Sequence, residues 1–65
     1  MFPNIYREMA ARDRMTIKQL AAHVGISATS MSNKLNGRTQ FNLSEMSKIQ
    51  ALFRNYTLDE LFKQG

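Results

Sequence analysis

The residues best suited to chemistry lie between Thr16 and Arg38, and their chemistry is hydrogen bonding rather than bond breaking. If Met31 and Leu35 face inward on one helix, a step of about 100° per residue sends Thr29, Asn33 and Asn36 to the opposite side. Ser32 then lies on the flank, and Ser27 and Ala28 sit at the N-terminal tip. An asparagine such as Asn33 can bond adenine N6 and N7 together. Thr29 and Ser32 can donate or accept at a base edge, and Ala28 and the Thr29 methyl can meet a thymine methyl. Ser27, Ala28, Thr29, Ser32 and Asn33 are therefore the expected base-reading set, and the surface carries no arginine for a guanine fork. Phosphate contacts are expected from Thr16 and Lys18 before this helix, from Asn36 and Arg38 after it, and from Lys34 at its border. Solvated surface is the competing reading of such polar residues. However, Ser, Thr and Asn weaken a helix that a purely structural role could build from better formers. Arg7, Arg54 and Lys63 are read as ordinary solvated charges.

Catalysis has no comparable set. His23 is the single histidine, there is no cysteine beside it, and its expected position is outward. Glu8, Asp13, Glu45, Asp59 and Glu60 are scattered, and three of them suit helix caps or first turns. Nothing assembles a nucleophile, a base and an orienting group, so no enzyme, metal site, cofactor or small-molecule ligand is expected.

The elements that must position the reading face are punctuated clearly from Leu20 to Gly37, LAAHVGISATSMSNKLNG. Leu20, Ala21 and Val24 mark the inner face of one helix. Ala21 is small enough for a second helix to cross there. Gly25 ends the first helix with φ > 0, which a residue without Cβ adopts freely. Ile26 points back inward, and Ser27 caps the next helix, whose inner face is Met31 and Leu35. This is the spacing of a helix-turn-helix, whose second helix enters the DNA major groove.

Similar punctuation runs through the rest of the chain. Asn4 is expected to cap a first helix reaching about Arg12, with Ile5 and Met9 inward. Arg12-Asp13-Arg14 forms a charged connection. Thr16 with Gln19 reads as a capping box opening the second helix at Ile17. The third helix ends near Asn36, with Gly37 as its stop. Asn42 with Glu45 opens a fourth helix, where Leu43, Met46, Ile49, Leu52 and Phe53 follow a helical period. Thr57 with Glu60 opens a short fifth helix holding Leu58, Leu61 and Phe62. The expected fold is all-α, a compact bundle of five short helices with a helix-turn-helix, in one domain over 1–65. At 65 residues without cysteine, stability must come from helix packing, and five methionines suit the irregular gaps of a small core. The net charge of +4 suits nucleic acid, although ribosomal and membrane-surface proteins share such a balance. No apolar run approaches membrane-spanning length and no secretory segment opens the chain, so the cytoplasm is the expected location.

These residues resemble the lambda repressor/Cro-type helix-turn-helix family of phage and bacterial regulators, over roughly residues 4–62. The resemblance is closest in LAAHVGIS, in KLNGR, and in FNLSEMSKI followed by TLDELF. The last two are similar to small phage-type regulators of Gram-positive bacteria. The resemblance implies five helices, with the second and third as the DNA-binding unit, and a two-fold dimer on a pseudo-palindromic operator. Two positions depart from that pattern. Ile17 stands where the family commonly has a phosphate-holding glutamine, leaving the task to backbone N–H groups, Thr16 and Lys18. Lys34 stands where an apolar residue is usual, with Leu35 following it.

The expected function is a sequence-specific regulator of transcription that binds double-stranded DNA. A Cro-like or repressor-like phage or prophage protein acting by operator occlusion fits a bare domain best. An isolated DNA-binding fragment of a longer repressor would carry the same signature. The alternative is a protein-interaction module, antirepressor-like, keeping the fold without specific DNA binding. An RNA reader is a weaker third reading, because no aromatic stacking platform is visible. Homodimerisation, in solution or only on DNA, is expected through the C-terminal segment. There Phe53, Tyr56, Leu58, Leu61 and Phe62 offer more apolar surface than a small core obviously hides, with Tyr56 and Phe62 the preferred interface residues.

Overall fold

The computed structural model describes residues 2–64. Five helices follow one another: α1 (Pro3–Ala11), α2 (Ile17–Val24), α3 (Ala28–Leu35), α4 (Leu43–Leu52) and α5 (Leu58–Leu61), with no strand among the described residues. The neighbouring pairs are α2 with α3 and with α4, and α5 with α1 and with α4. Ile5, Leu20, Met31, Leu35, Ile49, Phe53 and Leu61 are completely enclosed, so every helix or its cap contributes to one core.

The helix starts follow their caps. Thr16 Oγ1 accepts from Gln19 N at 3.1 Å, and Gln19 Oε1 accepts from Thr16 N at 2.8 Å. Asn42 with Glu45 and Thr57 with Glu60 close the same reciprocal box at α4 and α5. Each box satisfies two N–H groups that a helix start leaves without partners, and such a cap is worth about 1 kcal/mol.

Two expectations need correction. Asn4 does not cap α1. The N-cap is Phe2, without a side-chain bond, and Pro3 is the first helical residue. Proline suits that position because its fixed φ is already helical and its missing N–H would have had no partner. Asn4 is thereby moved into the helix, where its Nδ2 donates to Glu60 O at 2.7 Å and ties α1 to α5. Leu43 does not join the core either, being 69% exposed at the first position of α4. The buried line of that segment is Glu45, Ile49 and Phe53, with Met46 and Leu52 half-buried beside it. Leu43 lies across the helix from that line.

Both glycine stops are left-handed. Gly25 has φ +88°, its N–H and that of Ile26 donating to Ala21 O at 2.8 and 3.1 Å. Gly37 has φ +81°, with Gly37 N to Lys34 O at 3.2 Å and Arg38 N to Asn33 O at 2.9 Å. These bonds satisfy carbonyls that would otherwise be orphaned at the helix ends. Asp13 and Arg14, both at φ 57°, make the α1–α2 connection without glycine.

A polar tie crosses the helices. Lys34 Nζ lies 3.0 Å from Glu45 Oε1 and donates to Gln40 O at 3.0 Å. Glu45 is only 9% exposed, yet its carboxylate stays favoured. The Asn42 N–H holds its pKa below the ordinary carboxylate value. Burial opposes this, and the hydrogen bond and charge of Lys34 and the charge of Lys48 reinforce it.

A Cβ at Gly25 would meet nothing within 4 Å, so any penalty for substitution there is backbone strain alone. Gly25→Val is expected to destabilise by about 1–3 kcal/mol, and Gly25→Asn by less because asparagine tolerates φ > 0. Urea unfolding checks both, and equal stability of all three proteins contradicts the turn geometry. For Glu45, a depressed native pKa gives stability that is complete above the unfolded-state value of about 4.3. That stability is lost as pH falls through the lower native value. Glu45→Gln keeps a residue able to close the box, as Gln19 does at α2, but cannot titrate. Its unfolding midpoint should therefore change less between neutral and acid pH than the parent's.

Candidate nucleic-acid interface

The α2–Gly25–α3 unit builds the candidate surface. Leu20, Ala21 and Val24 of α2 and Met31 and Leu35 of α3 are buried, as their spacing requires. Ile26 packs half-buried against the same core, anchoring the turn between them. With these five side chains inward, α3 turns Thr29 to solvent, and Ala28 and Asn36 are exposed at its two ends. Ser32 is half-exposed on the flank of that face, and Asn33, expected opposite Met31 and Leu35, is likewise only half-exposed.

The hydroxyl of Ser27 is already engaged, accepting from Ser30 N and donating to Ser30 Oγ, each at 3.1 Å. Its exposed position lies at the tip of α3, but its oxygen accepts for the cap and its proton goes to Ser30 Oγ. The Thr16 oxygen is similarly occupied as a cap acceptor. Lys18 is exposed in the first turn of α2, and Arg38 is exposed immediately after Gly37. Their charges reach water without an ion-pair partner among the described residues.

Lys34 differs from the solvent-facing cation expected from the sequence. Its side chain is 16% exposed and its charge is matched by Glu45. The ammonium also lies 6.0 Å from the centre of the Phe41 ring. Lys18 near the start of α2 and Arg38 after the end of α3 are therefore exposed cations flanking the unit in sequence, unpaired among the described residues, while the charge of Lys34 is matched.

Lys48 went unrecognised in the sequence. From α4 its Nζ donates to Val24 O at 3.3 Å, closing the C-terminal end of α2 beside the turn. No pattern in the sequence pairs residues 24 and 48, although a lysine one turn after Glu45 was a local hint. Arg12, read from the sequence only as part of a charged connection, sits 3.7 Å from Glu8 and 5.3 Å from the centre of the Phe53 ring.

Of the C-terminal apolar residues, Phe53 and Leu61 are core, while Tyr56, Leu58 and Phe62 are half-buried. Phe62 meets Phe2 and Phe41 edge to face, with centroids 5.6 and 5.1 Å away. A cleft of about 300 Å³ opens beside them, lined also by Gly37, Gln40 and Met46. His23 is exposed, and no group of His, Cys, Asp and Glu able to hold a metal occurs among the described residues. No described helix is long and apolar enough to cross a membrane.

Residues 2–64 match the family described as phage regulatory protein CII (CP76). No curated protein and no solved structure matches the chain. The family match spans every described residue, from the N-cap of α1 to the segment after α5, and on that extent the chain belongs to the phage regulatory protein CII (CP76) family.

Proposed function

We propose that this phage regulatory protein is a sequence-specific, double-stranded DNA-binding regulator of transcription, acting in a Cro-like or repressor-like manner by occluding its operator. The observation that carries this reading is the exposed face of α3. Its inner residues Met31 and Leu35 are fully enclosed, leaving Ala28, Thr29, Ser32 and Asn33 toward the outside. The left-handed Gly25 between α2 and α3 supports a helix-turn-helix of the lambda repressor/Cro type. Asn33 reads adenine, and Ala28 and Thr29 meet thymine methyls, with Ser32 at the flank and Ser27 at the tip. Lys18 and Arg38 bracket this face and hold phosphates, assisted by Thr16 and Asn36. Lys34 is left out of the phosphate set because Glu45 and Gln40 already engage it.

One such module without an arginine on its reading helix offers limited affinity. A two-fold homodimer would seat two α3 helices about 34–36 Å apart on one face of the duplex. Tyr56 and Phe62, both half-buried, are the proposed interface residues. Pairing makes the second contact intramolecular, raising affinity without new base contacts. The reading puts the protein in the bacterial cytoplasm, where the operator is.

Selection of bound sequences from a random duplex library tests the proposal. An enriched, pseudo-palindromic site occupied by two chains is the expected outcome. One chain per site with no symmetric repeat rules out the dimer. No enriched site, with salt-independent retention, favours a protein-interaction module instead. On the selected site, Asn33→Ala should weaken binding by about 1–3 kcal/mol while leaving random duplex nearly unaffected. Arg38→Ala should weaken binding to all duplexes alike and make the slope of log K against log salt shallower by about one. Titrations at several salt concentrations distinguish the two patterns, and exchanged patterns would reverse the two assignments.

A further inference from the structure

We infer that Lys34 and Glu45 are positioning residues that set the orientation in which α3 meets DNA, an inference that rests on the DNA-binding reading above. Among the described residues, the backbone of α3 closely approaches only one other helix, α2. Met31 and Leu35 seat its inner face in the core, but a row of apolar contacts lets a short helix rock about its own axis. The remaining tie is ionic and directional. Lys34 Nζ bridges Glu45 Oε1 and Gln40 O, each at 3.0 Å, linking α3 to α4 and to the loop that follows α3. The same Glu45 oxygen accepts from Asn42 N at 3.0 Å, so the carboxylate is itself fixed by the box that starts α4. One turn along α4, Lys48 holds Val24 O at the end of α2. Thus α4 grips both helices of the candidate reading unit, α2 at Val24 and α3 at Lys34.

The side chains of Lys34 and Glu45 are 16% and 11% exposed, so little water competes for either charge. Such a pair adds less to stability than to the choice of one arrangement. Base contacts require side chains held to within about half an ångström, whereas the attraction of Arg38 or Lys18 for phosphate tolerates larger displacements. Loosening the pair should therefore erode sequence discrimination before it erodes binding to duplex in general.

The test compares Lys34→Met, Glu45→Gln and the double variant with the parent on the selected operator and on random duplex. Each single variant should lower the operator-to-random affinity ratio about tenfold, the scale of one lost base contact. The double variant should lose no more than either single one, because the pair acts as a unit. Lys34→Met should leave the salt slope unchanged. A slope shallower by about one identifies Lys34 as a phosphate ligand and overturns the inference, as do an unchanged ratio or additive losses. Hydrogen exchange on parent and Glu45→Gln supplies a readout without DNA and without the Lys34 variant. Amides of α3 and of the loop to Gln40 should exchange faster while those of α1 do not. Uniform acceleration marks a role in global stability only and overturns the inference. A parent that selects no operator defeats the DNA-binding reading itself, and the exchange pattern still decides whether the pair holds α3.

Discussion

The direction of α3 is set where Gly25 holds φ +88° and brings its own N–H and that of Ile26 onto Ala21 O. A residue with a Cβ resists that conformation, and just after the turn Ile26 packs half-buried against the core. Ala21 completes the constraint by being small where the two helices meet. The buried positions of Met31 and Leu35, and hence the outward positions of Thr29 and Asn33, are consequences of this turn.

A chain of 65 residues without cysteine has little apolar surface to enclose. The fold compensates through directional polar contacts at nearly every helix end. Three reciprocal capping boxes start α2, α4 and α5. Asn4 joins α1 to α5, Lys48 closes α2 from α4, and Arg12 lies over Phe53. No buried side-chain nitrogen or oxygen among the described residues lacks a partner. Each contact is small, but together they favour one packing of short helices that could otherwise slide.

The net charge of +4 conceals an uneven division of labour. Lys34 is matched by Glu45, Lys48 bonds Val24 O and Arg12 lies over Phe53, so these three cations serve the architecture. Lys18 in the first turn of α2 and Arg38 just after Gly37 remain exposed. The proposed DNA-binding function would combine attraction of phosphate by exposed cations with discrimination by uncharged groups. The affiliation with phage regulatory proteins agrees with that arrangement.

Local signals in the sequence determined the helical plan. Gly25 and Gly37, the Thr16–Gln19, Asn42–Glu45 and Thr57–Glu60 pairs, and the Ser27 cap act within four residues, so their geometry follows from neighbours alone. The inward faces of α2 and α3 were legible for the same reason, and with them the polar face opposite. Pro3 carried a local signal too, competing with Asn4 for the start of α1, and its fixed φ prevailed. Tertiary structure decided which long side chains have partners. Lys34 reads as a surface cation until α4 brings Glu45 to 3.0 Å, and Leu43 reads as core until Glu45, Ile49 and Phe53 define the buried line. The division between Phe53 and Leu61 inside and Tyr56 and Phe62 at the margin likewise emerged only when α5 met α1 and α4. Caps and turns are short-range bonds written in adjacent residues. Ion pairs and burial depend on which helices meet, and that is a property of the packed chain.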